Sequence, residues 1–267
     1  MSGETAAPPD APGRVLVRRE GPVLHAQLSN PRRRNALTWA MYDQLLALCD
    51  AVDADPATRL VVLRGAPGAF AAGTDVSQFP LFTGGADGVA YERRVGRVLQ
   101  RLLEVRVPVL GVVDGPAVGA GLAIAAVCDV LVATPSSSFG APVARTLGNC
   151  LPAAVVARLQ QRLGAARTTA VLLTARLLDA REAAEAGFVH AVLAPQELEE
   201  GVADLVRRLC AGAPLTLAAL KEIDRRVAAA GAGAEDEDLL ERCYGSADFR
   251  EGVAAFLEHR SPRWEGR

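Results

Sequence analysis

The chain has 267 residues, half of them hydrophobic, and a formal net charge of −2 at pH 7. It is long enough to bury a large core as one domain or a domain with an appendage. The small net charge gives no reason to expect a nucleic acid or a membrane surface as the main partner. Five cysteines without paired spacing indicate a reducing compartment, so we expect a cytoplasmic protein.

The N-terminal segment, residues 1–13, is rich in Ala and Pro and has neither the basic nor the apolar region of a signal peptide. We predict a flexible tail there. No apolar stretch approaches about 20 residues without Gly, Pro or charge, so we expect no membrane span.

Short apolar runs and one helical pattern follow the tail. Arg14–Arg19 and Val23–Leu28 are separated by a Glu-Gly-Pro turn and predict a hairpin. Thr38 can cap a helix that continues to about Val52, and Leu60–Arg64 predicts a third strand.

The next segments repeat the order of strand, glycine turn and helix. In chain order they predict a rim loop at Pro80–Gly88, a helix at Val89–Glu104, a strand at Val109–Val113, a helix at Ala120–Val127, a strand at Asp129–Ala133 and a short strand at Phe139. This order favours parallel strands with helical crossovers. Beyond Pro152 the pattern is helical apart from Val189–Leu193. We therefore predict an α/β core over residues 14–194 and a C-terminal helical region over residues 195–267.

Two glycine-bearing segments follow buried strands: Gly65–Asp75 (GAPGAFAAGTD) and Asp114–Asp129 (DGPAVGAGLAIAAVCD). A strand that ends at a glycine turn and enters a helix leaves N–H groups without acceptors. Two such turns side by side can donate to one developing negative oxygen, as an enolate or tetrahedral oxyanion requires. For either segment alone, an ordinary strand-to-helix connection is the alternative. A phosphate site is disfavoured because Gly119–Ile124 lacks the third glycine of a dinucleotide fingerprint.

Five segments in register resemble the enoyl-CoA hydratase/isomerase (crotonase) family. They are Ser29–Leu37 (SNPRRRNAL), Ala69–Phe79, Pro108–Val130, Leu178–Val192 and Ser246–Arg260. The resemblance implies an α/β fold, a crotonase-like spiral of ββα units with a C-terminal helical region, assembled as a homotrimer or a dimer of trimers. It also implies an acyl-CoA thioester substrate, with coenzyme A as part of that substrate and no permanently bound cofactor.

The resemblance also assigns the catalytic positions. The two oxyanion-hole donors correspond to the backbone N–H groups of Thr74 and Ala120, and the two glutamates of the family's hydratases correspond to Ala123 and Val143. Neither of these two side chains transfers a proton, which weighs against ordinary hydration. We therefore predict an enzyme that stabilises a thioester enolate, with hydratase-like or isomerase-like lyase chemistry. The alternative is a CoA-ester-binding protein with little or no catalysis.

Candidates for the missing acid–base groups lie near these positions. They are Arg145, Asn149 and Cys150 after the second glutamate position, and Tyr91, Glu92 and Arg93 on the helix behind the rim loop. Arg145 suits a substrate carboxylate or is a solvated or interface arginine. Asn149 and Cys150 are suited to face the acyl group, and a buried structural thiol is the alternative for Cys150. The three residues Tyr91, Glu92 and Arg93 either reach the pocket or form a solvated face of their helix.

Other residues are assigned to coenzyme A or to structure. By resemblance, coenzyme A lies near Arg32, Arg34, Ala36, Ala71, Ala72, Gly73, Asp75, Gly119 and Phe256. The run Arg32–Arg34 suits the nucleotide phosphates or is a solvated charge run. Asp114 and Asp129 are expected to be strand-end or turn anchors rather than acids. The three histidines, His25, His190 and His259, lack the spacing of a metal site or a catalytic triad, and we assign no metal.

Overall fold

The structure is a computed structural model of the chain, and it describes residues 13–230 and 237–267. Residues 1–12 of the predicted flexible tail lie outside the described residues. No helix in the described ranges is both long and apolar enough to span a membrane.

Strands and helices alternate in the first two thirds of the chain, and helices follow. The strands are β1 Arg14–Glu20, β2 Val23–Ser29, β3 Leu60–Gly65, β4 Val109–Val113, β5 Pro116–Val118, β6 Val130–Ala133, β7 Ser138–Gly140, β8 Leu178–Asp179 and β9 Ala191–Val192. The helices are α1 Trp39–Ala54, α2 Gly85–Glu104, α3 Ala120–Val127, α4 Val143–Thr146, α5 Ala153–Leu163, α6 Ala165–Thr174, α7 Ala180–Glu185, α8 Leu198–Ala211, α9 Pro214–Ala230, α10 Glu237–Tyr244 and α11 Ala247–Leu257. Two 3-10 helices lie at Pro31–Arg33 and Val76–Leu81.

The main sheet has the strand order β1-β2-β3-β4-β6-β9, and a second sheet has the order β5-β7-β8. In the main sheet only β1 and β2 are antiparallel. Helices α1, α2 and α3 connect its successive parallel strands, because parallel neighbours require a crossover. The predicted α/β class and parallel pairing are thus confirmed.

Helix α1 begins where the sequence predicts. The Thr38 hydroxyl oxygen accepts a hydrogen bond of 3.3 Å from the Met41 N–H and caps the helix. Trp39 and Leu46 on this helix are only partly buried. Its buried residues are Met41, Tyr42, Leu45, Leu48, Cys49 and Val52.

The predicted rim loop at Pro80–Gly88 is wrong. Residues 76–81 form a 3-10 helix, and α2 already begins at Gly85. The Asp87 carboxylate accepts hydrogen bonds from the N–H groups of Thr83 and Gly84 and so caps the start of α2. This cap stabilises a helix where the consecutive glycines Gly84 and Gly85 indicated a loop. Strand β5 was also missed, because three residues are too few for a periodic pattern.

The last four helices, α8 to α11, all lie beyond residue 194. The final residues fold back onto them: Asp248 accepts hydrogen bonds from the N–H groups of Glu265 and Gly266. The Trp264 indole N–H donates to the Ala211 carbonyl oxygen at 2.7 Å. The division into a core and a C-terminal helical region stays a prediction about domains.

Candidate active site

The first glycine turn follows β3 and positions the Thr74 N–H. Gly73 has a φ of 99°, a left-handed conformation that favours glycine. The Leu37 N–H donates to the Gly73 carbonyl oxygen at 2.8 Å, and the Asp75 N–H donates to the Leu37 carbonyl oxygen at 2.9 Å. Thr74 lies between these two bonds, and its own N–H donates to no described residue.

The segment before α1 is fastened to this turn by Asn35, a buried residue with a φ of 58°. Its side-chain amide donates to the carbonyl oxygens of Ala66 and Ala69, both at 2.7 Å. The Arg34 carbonyl oxygen accepts from the Ala72 N–H at 3.1 Å. These bonds hold two consecutive residues in the left-handed conformation, Arg34 and Asn35, and they place the basic run Arg32–Arg34 beside the first turn.

The second glycine turn leads from β5 into α3 and positions the Ala120 N–H. Gly119 has φ 57° and ψ −116°, a conformation that side chains disfavour. Its N–H donates to the Gly140 carbonyl oxygen, and the Val118 N–H donates to the Ala71 carbonyl oxygen, both at 2.9 Å. Ala120 is the first residue of α3, so its N–H has no acceptor within the helix.

The two turns pack directly against each other. A Cβ atom placed on Gly119 would lie 3.7 Å from the Gly73 Cα, and one on Gly121 would lie 2.1 Å from the Ala71 carbonyl oxygen. Only glycine at position 121 therefore lets α3 approach the first turn this closely. The glycines determine how near the two turns come.

One cavity of about 270 Å³ adjoins both turns. Thr74 and Ala120 line it, and so do Ala123 and Val143, the two predicted glutamate positions. The other lining residues are Ala72, Gly73, Val76, Phe79, Tyr91, Glu92, Val95, Val118, Gly119, Pro142, Thr146, Leu147, Asn149, Leu151, Pro152 and Val155. Most of these side chains are apolar, as is common for small-molecule pockets.

Helix α2 brings two polar side chains, Tyr91 and Glu92, to the cavity, and Tyr91 contacts Thr74 there. The Thr74 hydroxyl is 2.6 Å from the Tyr42 hydroxyl and 2.7 Å from the Tyr91 hydroxyl. Burial raises the pKa of both tyrosines, so both hydroxyls stay protonated at neutral pH. The Thr74 side chain is thus anchored from α1 and α2 while its N–H is left available. Sequence reasoning missed Tyr42, although its spacing from Trp39 matches the inward face of α1.

Glu92 also lines the cavity from α2, whereas Arg93 is exposed. Desolvation raises the pKa of the half-buried Glu92 carboxyl to about 6. Among the described lining residues, Glu92 has the one carboxylate. The predicted alternative of a solvated face therefore applies to Arg93 and not to Tyr91 or Glu92.

The candidates after Val143 separate in space. Asn149 lines the cavity, whereas Arg145 and Cys150 are exposed and are not part of its lining. Cys150 is therefore not the buried structural thiol considered as its alternative. Arg145 and Cys150 stay predictions without a contact to the cavity.

The aspartates near the turns have structural partners. Asp75 caps the following 3-10 helix and accepts from the Ser77 N–H at 3.0 Å and from the Ser77 hydroxyl at 2.7 Å. Asp114 accepts from the Thr134 hydroxyl at 2.8 Å. Asp129 accepts from the Val109 N–H at 2.7 Å. All three stabilise local structure.

The residues predicted to lie near coenzyme A are spread over the first turn and its surroundings. Arg32, Arg33 and Arg34 are exposed, and Arg33 lies 3.8 Å from the Asp75 carboxylate. Ala36 and Ala71 are buried, while Ala72, Gly73 and Gly119 line the cavity. The side chain of Phe256 lies outside the described part of the structure. Within the described ranges, no three His, Cys, Asp or Glu side chains cluster as a metal site would require.

Comparisons with known proteins show the family of this chain. The sequence profile described as enoyl-CoA hydratase/isomerase matches residues 18–267. The chain is 30% identical to the 2,3-dehydroadipyl-CoA hydratase of Escherichia coli over 95% of its length and 99% of the relative. It is 32% identical to the carnitinyl-CoA dehydratase of Salmonella arizonae over 94% of its length and 98% of the relative.

A solved structure is similar over nearly the whole chain. The crystal structure of an enoyl-CoA hydratase/carnithine racemase from Magnetospirillum magneticum superposes with a TM-score of 0.89 at 30% identity. The match covers 95% of this chain and 96% of that one.

Proposed function

This chain belongs to the enoyl-CoA hydratase/isomerase family of acyl-CoA-processing enzymes, and we propose that it stabilises a thioester enolate between the N–H groups of Thr74 and Ala120. The observation that supports this most directly is the shared cavity. Both residues line it, and neither N–H donates to another described residue.

The proposed chemistry places the thioester carbonyl oxygen between the two donors. Negative charge grows on this oxygen as a proton leaves the α-carbon, and preorganised donors stabilise that charge more than they stabilise the ground state. The N-terminal end of α3 adds a partial positive charge next to Ala120. Loss of one such donor typically lowers the rate by about 10²- to 10³-fold.

Coenzyme A is proposed to bind as part of the substrate, along the first glycine turn. The exposed guanidinium groups of Arg32 and Arg34 are suited to its phosphates. The Arg34 carbonyl bond to the Ala72 N–H keeps this basic run next to the cavity. The two relatives, a 2,3-dehydroadipyl-CoA hydratase and a carnitinyl-CoA dehydratase, support the same substrate class.

Ordinary hydration by two glutamates is disfavoured. Ala123 and Val143 line the cavity at the proposed positions of these glutamates, and neither can move a proton. Isomerase-like or lyase-like chemistry through the enolate is the proposed outcome. The same two residues favour a second candidate, a CoA-ester-binding protein with little catalysis.

A homotrimer or a dimer of trimers is proposed as the assembly. Large apolar side chains are exposed on α6 and α9: Leu173 is 79% exposed and Leu220 is 57% exposed. Sedimentation equilibrium tests the assembly, and a monomer at all concentrations would contradict it.

The function is tested in deuterated water with a panel of CoA thioesters. We expect binding of at least one thioester and deuterium incorporation at its α-carbon. Binding without incorporation would favour the second candidate. Absence of both would overturn the proposed function.

A further inference from the structure

We propose that Glu92 is a catalytic residue of this site, the carboxylate that takes and returns the substrate proton from α2. The inference rests on the proposed enolate function. It assigns acid–base chemistry to a different helix from the two elements that hold Ala123 and Val143.

The first support for this assignment is the set of side chains that line the cavity. Of the described lining side chains, only Glu92 and Tyr91 are titratable, and the Tyr91 hydroxyl is engaged with Thr74 at 2.7 Å. The hydroxyl and amide side chains of Thr146 and Asn149 do not transfer protons at neutral pH. Glu92 is therefore the one described lining residue with an acid–base group available near neutral pH.

The second support for a catalytic Glu92 is the absence of a compensating charge among the described residues around its carboxylate. No described Lys or Arg lies within ion-pair distance of its carboxylate. The titratable groups that face it are Tyr91 on its own helix and Tyr42 on α1, and both stay neutral. From α4, Arg145 is exposed and outside the cavity lining. Nearby Arg94 is held by Asp43 at 2.7 Å.

The consequence of this environment is a base suited to neutral pH. Desolvation without a compensating cation raises the pKa of Glu92 to about 6. A general base is most effective when its pKa is near the operating pH, because it is then deprotonated yet still basic. A carboxylate paired with arginine would be a weaker base.

One carboxylate suffices for a proton shift. The α-carbon C–H bond breaks, the proton moves to Glu92, and the bonding electrons form an enolate whose oxygen lies between the two N–H donors. For a 3-enoyl thioester, the Glu92 carboxyl returns the proton to the γ-carbon. The carbonyl then re-forms and the double bond lies between the α- and β-carbons. The product is an isomer of the substrate, so no water, oxidant or reductant is consumed.

The test compares Glu92→Gln with Glu104→Gln, which makes the same substitution on an exposed residue of the same helix. Both proteins are assayed for thioester binding and for α-deuterium exchange. We expect Glu92→Gln to lower exchange by about 100-fold or more while the Kd changes by less than about threefold. Glu104→Gln is expected to retain both properties. Glu92→Asp is expected to keep measurable exchange, because it retains a carboxylate.

The pH profile gives a second readout that a merely structural role would not move. Exchange by the wild-type protein is expected to fall as the pH decreases through about 6, because Glu92 becomes protonated. Equal exchange in Glu92→Gln and wild type, or a profile without this decrease, would overturn the role of Glu92 while leaving the enolate function in place. Wild-type protein that binds no thioester would instead overturn the proposed function and the inference with it.

Discussion

The Lys221 ammonium donates a hydrogen bond of 2.8 Å to the Asp129 carboxylate, and this pair joins α9 to the end of α3. Lys221 also donates to the carbonyl oxygens of Leu102 and Val107, at 3.4 and 3.0 Å. Its side chain is 9% exposed. A largely buried charge with three acceptors therefore connects the C-terminal helices to the helix that begins at Ala120.

Replacement of Lys221 by methionine is expected to lower the free energy of unfolding by about 3 kcal/mol, because it leaves Asp129 without its cation. Urea unfolding measures the loss. Arg207→Met is the control, because the pair of Arg207 with Asp204 is exposed and its loss should cost less than about 1 kcal/mol. Equal losses in the two variants would contradict the anchoring role.

Replacement of Thr74 by valine tests whether the main chain or the side chain acts on the substrate. Valine removes the hydroxyl shared by Tyr42 and Tyr91 but keeps the N–H. We expect a stability loss of about 1 kcal/mol and a decrease in exchange of less than about tenfold. A decrease as large as that from removing an oxyanion donor would show that the hydroxyl itself takes part in the chemistry.

Replacement of Gly119 by alanine strains the turn that orients the proposed second donor, the Ala120 N–H, because the φ of 57° at Gly119 disfavours a side chain. We expect exchange to fall by about 10²-fold and stability to fall by about 1–3 kcal/mol. Gly187→Ala is the control. Gly187 has a φ of 76° and no atom within 4 Å of an added Cβ, and it does not line the cavity. The Gly187→Ala variant should lose stability and keep its α-deuterium exchange. A similar loss of exchange in both variants would contradict the proposed donor.

The double substitution Ala123→Glu with Val143→Glu is expected to increase hydration of a 2-enoyl thioester, because it places two proton carriers in the cavity wall. The rate follows from the absorbance of the conjugated thioester. Each single substitution serves as a control and should give less activity. An unchanged rate in a correctly folded protein would show that these are not the glutamate positions.

Replacement of Glu92 by glutamine is expected to raise the melting temperature at pH 8. The raised folded-state pKa means that the folded protein holds the Glu92 proton more tightly than the unfolded chain. Stability therefore falls as the pH rises from about 4.5 to about 6, and the penalty persists above that range. Glutamine has no such penalty, so the difference between variant and wild type should disappear below about pH 4.5. A constant difference across this pH range would contradict the desolvation of Glu92.

Local sequence signals predicted much of the fold. Thr38 marked the start of α1, and the alternation of β-branched runs with helical patterns indicated parallel strands. The predicted loop at Pro80–Gly88 was wrong because two consecutive glycines, Gly84 and Gly85, indicate a helix break, whereas the Asp87 carboxylate caps a helix that begins there.

The sequence by itself determined the two glycine turns and the absence of a carboxylate at positions 123 and 143, because residue identity decides both. The tertiary structure decided which polar side chains share the cavity. It brought Glu92 to the wall and left Arg145 and Cys150 outside it. Helical periodicity shows which residues share a face of α2, but not what that face packs against. The contact of α2 with α3, and the burial it imposes, arises only when distant segments meet.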